Sequence, residues 1–289
     1  MTDSINNRYG DVPSGLMERL LEFRSSHRPS HLDRSGLVWE YISCGNGNET
    51  LVLLPGGMRF GDSWFLLIMA LEDRFKIIAP TYPQVTTMAG LVQGIIGITE
   101  SEGIEEANYL GSSLGGWLSQ CIVRQHPDKV KKLILANTSA PDLYTVSQAR
   151  AGLTAVRYLP FWYMKLVSKQ RLLKLISPPV PERQFWKAYL NEKFKSSVTK
   201  KDITSQMEYT LDYVSNYNFT PGDLAEWQGK LLILESDDDL AVKPELRDSF
   251  KLLYPVARIY TLRNSGHTPG YRGVPEYIDV IRRFISDTL

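Results

Sequence analysis

An α/β fold, with a mostly parallel central sheet flanked by helices and one helical cap insertion, is predicted by three features of the sequence. Short β-like runs alternate with helical stretches, the signature of βαβ crossovers. Most of the runs are continuously apolar, as strands buried on both faces of a parallel sheet are. The rhythm stops once, between residues 139 and 229, where apolar positions recur only at helical spacing.

Taken in order, residues 1–35 read as an N-terminal arm. Within it "SGLMERLLEF" forms a short amphipathic helix, capped by Ser14, with Leu16, Leu20 and Leu21 on one face. Strands follow in "LVWEYISC" (37–44), "TLVLLP" (50–55), "KIIAP" (76–80), "NYLGS" (108–112), "KLILANT" (132–138), "LLILES" (231–236) and "ARIYTL" (257–262). Helices lie between them in "FLLIMALE", "MAGLVQGIIGITESEG", "GGWLSQCIVRQHP" and "PELRDSFKLLY". The core is thus assigned to 36–139 and 226–289, and the cap to 140–225. Pro160, Pro178, Pro179, Pro181 and Pro221 divide the cap into several short helices.

The chain has 289 residues and a formal net charge of +1. That length suits one large core with a lid, and the charge gives no sign of a nucleic-acid partner. Cys44 and Cys121 have no metal-ligand spacing. The polar start "MTDSINNRYGDV" is unlike a secretory signal, and no apolar run approaches the ~18 residues of a membrane span. The expectation is a soluble cytoplasmic protein with no transmembrane segment, metal or cofactor; the oligomeric state is left open.

The stretch "YLGSSLGGW" (109–117) carries the chemistry. A strand runs into a helix with room only for a tight turn, and Gly111, Ser113 and Gly115 fit G-x-S-x-G. Residues two before and two after the serine nearly touch in such a turn, so both must be glycine. Ser113 becomes the candidate nucleophile and Ser112 a bystander. The amide of Leu114 opens the following helix, where it can face a developing oxyanion. A bare glycine-rich turn with no catalytic role is the plain alternative.

A serine needs a base, and the base a partner that fixes its tautomer. His27 and His31 lie in the arm, and His126 sits at a helix end before Pro127. His267, in "LRNSGHTPG" just after the last strand, lies where α/β sheets carry their functional loops. The preceding strand ends in "ESDDD", offering Asp237, Asp238 and Asp239; Asp238 is the middle choice, with its neighbours facing water. "LLPGGMRFGDSW" brings Gly56 and Gly57 after an early strand, so the N–H of Gly57 or Met58 is the second oxyanion donor.

The order Ser113, acid, His267, together with the turn, the "LLPGG" loop and the helical insertion, resembles the α/β-hydrolase superfamily over nearly the whole chain from about residue 37. The resemblance places the acid a few residues past its strand, which selects Asp238, and gives the donor position to Gly57. Within the superfamily, "APTYP", "GSSLGGWLSQ", "LILANT" and "KLLYPVARIYTL" look most like the maspardin-type branch. That branch implies an interaction scaffold, whereas "SGH" here keeps the base. The expected activity is a serine hydrolase acting on a small-molecule carboxylic ester or related acyl compound. C–C hydrolysis, acyl transfer and perhydrolysis are rivals on the same residues.

Phe161, Trp162, Met164 and Trp186 are the candidates in the cap for lining the acyl pocket, beside Met58. An aromatic stripe at this spacing is more often core than pocket. Residues 164–202 also carry ten Lys/Arg against three Asp/Glu. That surplus fits solvated helix faces, or attraction to anionic substrates or an anionic membrane surface.

Overall fold

The computed structural model describes residues 14–141 and 143–289. Residues 1–13, the start of the expected arm, lie outside the described residues. Helix α1 (Ser14–Ser26) buries Leu20 and Phe23. Strand β1 (Ser30–Arg34) then pairs antiparallel with β2 (Leu37–Cys44). Residues 14–34 are therefore packed on the core rather than forming an arm. The sequence of β1, "SHLDR", is polar and half exposed, which hid it among the apolar runs.

The next elements are β3 (Glu49–Leu54), α2 (Phe65–Leu71), β4 (Phe75–Thr81), α3 (Met88–Ser101), β5 (Ala107–Ser112), α4 (Leu114–Gln125) and β6 (Val130–Ala136). Four helices come before the next strand: α5 (Leu143–Tyr158), α6 (Phe161–Ile176), α7 (Val180–Ser196) and α8 (Lys200–Asn216). The chain ends with β7 (Lys230–Ser236), α9 (Pro244–Leu253), β8 (Arg258–Leu262) and α10 (Pro275–Ile285).

The eight strands form one sheet in the order β1-β2-β4-β3-β5-β6-β7-β8. The two pairings of β2 are antiparallel and the rest are parallel. Successive residues of the central strands bury opposite faces. Leu53, Leu110, Ile134 and Leu232 join Phe65, Ile281 and Phe284 on one side. Leu54, Tyr109, Leu133 and Ile233 join Leu91, Ile95, Leu118 and Ile122 on the other. The continuously apolar runs are explained by this double burial.

The register brings five strand ends level at one edge of the sheet. Leu54 pairs with Gly111, Gly111 with Leu135, Ala136 with Leu234, and Ser236 with Leu262. Carboxyl ends of parallel strands are where such sheets place their sites. The helical insertion covers this edge. Within it, α5 packs along α8 and α6 packs against α7. No helix among the described residues is long and apolar enough to cross a membrane.

An ionic cluster fixes α7 to the core. Asp62, in the loop after β3, accepts from Arg24 of α1 at 2.8 Å and from Lys193 of α7 at 2.8 Å. It also accepts from Tyr189 Oη at 2.7 Å, and Arg24 reaches Glu192 at 2.9 Å. Burial raises the Asp62 pKa, but Lys193 and Arg24 outweigh it and hold the carboxyl at about 2, against an ordinary 3.8.

A carboxyl depressed on folding stabilises the fold above its unfolded pKa, and that stability is lost as pH falls through the folded value. The wild type should therefore lose roughly 2 kcal/mol between about pH 4 and pH 2 through this one group. Asp62→Asn should show that deficit already at neutral pH and a flatter acid limb. Urea denaturation across that pH range measures both.

Candidate active site

The turn from β5 into α4 has the geometry expected of a nucleophile elbow. A Cβ on Gly111 would lie 2.2 Å from the Gly115 carbonyl oxygen, and one on Gly115 would lie 2.1 Å from the carbonyl oxygen of Leu54. Neither position tolerates a side chain. Between them Ser113 adopts φ 53°, ψ −118°, a strained conformation for a residue with a Cβ. The strain is held by neighbours: Ser113 N–H donates to Ala136 O at 2.9 Å, and Thr138 Oγ1 donates to Ser113 O at 2.7 Å.

His267 is 4% exposed, and its Nδ1 lies 2.9 Å from both carboxylate oxygens of Asp239. The acid facing the histidine is thus Asp239 and not Asp238, one residue beyond the sequence-based choice. The correction has a local cause. Strand β7 stops at Ser236, and Asp237 and Asp238 make the turn that follows. Both are exposed, but each braces the histidine loop. Asp237 Oδ1 accepts from Asn264 N–H and Asp238 Oδ1 from Gly266 N–H, each at 2.8 Å. Asp239 folds back into the protein, where it also accepts from the N–H groups of Ala241 and Val242.

Asn137, with φ 46°, completes the arrangement by donating from Nδ2 to Asp239 Oδ2 at 2.9 Å. Burial raises the Asp239 pKa, but the bond to His267 and that residue's charge, with Asn137 and the Val242 amide, leave it below the ordinary carboxylate value. Asp239 is therefore held ionised beside the imidazole. Sequence reasoning missed Asn137; its only trace is a polar "NTS" directly after β6.

The loop after β3 is pinned on every side. Tyr82 Oη donates to Pro55 O at 2.9 Å, and Gly56 N–H donates to Tyr271 Oη at 2.9 Å. Gln206 of α8 reaches Gly57 O at 3.4 Å. A Cβ on Gly56 would sit 3.1 Å from Ser113 Cβ, so this glycine lets the loop lie against the elbow. Arg59, at φ 59° and 5% exposed, donates to the carbonyls of Tyr82 and Pro83. Its guanidinium also pairs with Asp202, in the first turn of α8, at 2.9 Å. A buried pair of this kind holds position more than it adds stability, and losing either partner strands a charge.

Ser113, Leu114, Gly57, Met58 and His267 all line one cavity of ≈ 450 Å³ between the sheet edge and the four inserted helices. Its walls are mostly apolar: Trp117, Leu172, Leu175, Phe194, Ile203 and Met207 contribute, with Tyr271. Of the residues proposed from sequence for this wall, Met58 alone is there. Trp186 is fully buried among Phe65, Phe185 and Tyr189. Met164 is also buried, while Trp162 points to solvent. Phe161 stacks with Lys165, whose Nζ is 4.7 Å from the ring centroid. Helical spacing marked these positions as one face without telling cavity from core.

The other histidines lie elsewhere. His31 pairs loosely with Glu40, and His126 ends α4. His27 stacks on Phe23 and contacts Glu72 at 2.5 Å. Cys44 shares that carboxylate, and the donor atoms of all three lie within 4.8 Å. Burial, with the charge of Glu72, pushes the thiol up to about 12.

No family model matches the chain. Uncharacterized hydrolase YugF of Bacillus subtilis (strain 168) is 21% identical over 234 residues, covering 76% of this chain and 84% of its own length. Epoxide hydrolase 4 of Homo sapiens is 26% identical over 123 residues, covering 38% of this chain and only 34% of its own length. Among solved structures, a thermophilic esterase from Thermogutta terrifontis superposes with a TM-score of 0.73 at 16% identity, covering 90% of this chain and 99% of that one. The fold is that of the α/β-hydrolases.

If Asp239 orients His267, Asp239→Asn should slow covalent capture of Ser113 by a fluorophosphonate by orders of magnitude. The loss of turnover on removing such an acid is roughly 10⁴-fold. Asp238→Asn and Asp237→Asn, which touch only the loop backbone, should cost far less. Stopped-time labelling of the three variants decides between them.

Proposed function

We propose that the protein is a serine hydrolase that cleaves a carboxylic ester or related acyl compound through Ser113, His267 and Asp239. The observation that carries this reading is the buried Asp239–His267 pair at the cavity that also exposes Ser113 on its strained turn.

The mechanism follows from the groups in place. Ser113 Oγ attacks the substrate carbonyl carbon as its proton passes to His267 Nε2. Asp239, accepting from Nδ1–H, fixes the tautomer and stabilises the imidazolium. The carbonyl oxygen becomes an oxyanion facing the N–H groups of Gly57 and Leu114. Gly56 cannot serve, because its N–H is already given to Tyr271. One such donor is worth about 3–4 kcal/mol in the transition state. The C–O bond then breaks, and His267 returns the proton to the departing alcohol. Water, deprotonated by the same imidazole, hydrolyses the acyl-enzyme and frees Ser113. No step calls on a metal or cofactor.

C–C hydrolysis, acyl transfer or perhydrolysis could use the same residues. The apolar walls favour an ester or lipid-like acyl group, and ≈ 450 Å³ suits a ligand of modest size. The maspardin-type resemblance supplies the opposing reading, a scaffold without turnover. The acid held against the histidine, at the cavity that Ser113 also lines, supports catalysis.

The deciding experiment is labelling with a fluorophosphonate, followed by a screen of acyl esters of graded length. Ser113 should be modified, Ser113→Ala should abolish both labelling and turnover, and Ser112→Ala should retain them. A folded protein that neither labels nor turns over any ester would return the scaffold reading. Leu172→Phe and Met207→Phe, which shrink the cavity, should shift preference toward shorter acyl chains. Phe161→Ala should leave the chain-length profile unchanged.

A further inference from the structure

Helix α6 has two unlike faces. Ser168, Leu172 and Leu175 line the cavity. The opposite side, which in a soluble protein is ordinarily polar, exposes Trp162, Tyr163, Leu166 and Val167. Tyr158, at the end of α5, joins them. Tyr158 is 85% and Trp162 67% exposed, and the Trp162 and Tyr163 rings pack edge to face at 5.8 Å. A contiguous apolar and aromatic patch on a surface marks a contact site.

The charge around the patch is one-sided. From 143 to 176 the chain has Arg150, Arg157, Lys165, Lys169, Arg171 and Lys174 and no acidic residue. The whole chain carries only +1, so the remainder is net acidic and this surface stands out against it. Arg150, Arg157, Arg171 and Lys174 are exposed. Aromatic rings with an apolar body and a polar edge, among long basic side chains, match the interface of a bilayer with anionic headgroups. A second copy of the chain fits poorly. A two-fold contact here would set this basic surface against itself, with no acid on α5 or α6 to pair with it.

We propose that the outer face of α6, with the end of α5, docks on an anionic lipid bilayer. Arg171 lies both on the exposed surface and at the cavity wall, so the docked helix is also one wall of the cavity. The binding is electrostatic in its approach and apolar in its seating. It requires neither Ser113 nor turnover.

The test is co-sedimentation of the full chain with phosphatidylcholine vesicles, with and without phosphatidylglycerol, at low and high salt. The protein should pellet with the phosphatidylglycerol vesicles and be released by salt. Trp162→Ser/Leu166→Ser should abolish pelleting. Arg157→Glu/Lys174→Glu should weaken it by at least about fivefold per residue. Unchanged thermal midpoints would show that these exposed substitutions leave the fold intact. Ser113→Ala should pellet like the wild type, which separates this inference from the hydrolase reading. No pelleting at low salt overturns the proposal, as does pelleting that neither double variant alters. A dimer in analytical ultracentrifugation that Trp162→Ser/Leu166→Ser dissolves, without vesicle binding, assigns the face to a second copy and overturns it too.

Discussion

The contact of backbone with backbone at Gly111, Gly115 and Leu54 governs the rest of the site. The end of β5, the first turn of α4 and the end of β3 come together there more closely than any side chain would permit. Ser113 must then turn through a left-handed conformation, which lifts its hydroxyl clear of the sheet and sets the opening amide of α4 beside it. The same approach draws the Pro55–Gly57 loop against the serine. One packing constraint thus places the hydroxyl, a helix N-terminus and the neighbouring loop together. The strain at Ser113 is tolerated because Ala136 and Thr138, from the end of β6 and just beyond it, hold its backbone groups.

A second set of constraints comes from polar groups that serve position rather than bulk stability. Three consecutive aspartates divide the work at the ends of β7 and β8. Two tie down the backbone before His267, and the third meets its ring. Tyr271, four residues beyond the histidine, crosses to Gly56 and couples the histidine loop to the loop after β3. Apart from the exposed bond to Asp237, these hydrogen bonds are buried or partly buried, where an unmet donor is costly, so each loop fixes the next. This is the preorganisation that electrostatic catalysis depends on.

Much of this was legible in the sequence, for identifiable reasons. Strands buried on both faces announce themselves as apolar runs, and the seven so marked are strands of the sheet. The elbow was legible because its glycines are sterically obligatory. The choice among Asp237, Asp238 and Asp239 was not, since it turns on where β7 stops and how a tight turn aims each carboxylate. A shift of one residue at a strand end is beyond what pattern conveys. The polar edge strand β1 carries no burial signal, and the cap aromatics gave a face without its surroundings. Trp186 is core and Trp162 is surface, although both sit on amphipathic helices of the same insertion.

Two ionic anchors of the insertion grip different helices. Asp62 holds α7, the partner of α6. Arg59 holds Asp202 at the start of α8, the partner of α5. Each helix pair therefore has its own mooring to the core, and the cavity lies at the seam between the pairs, lined by α5 on one side and α6 on the other. Parting the pairs along that seam breaks neither mooring, whereas lifting the whole insertion breaks both and strands buried charges.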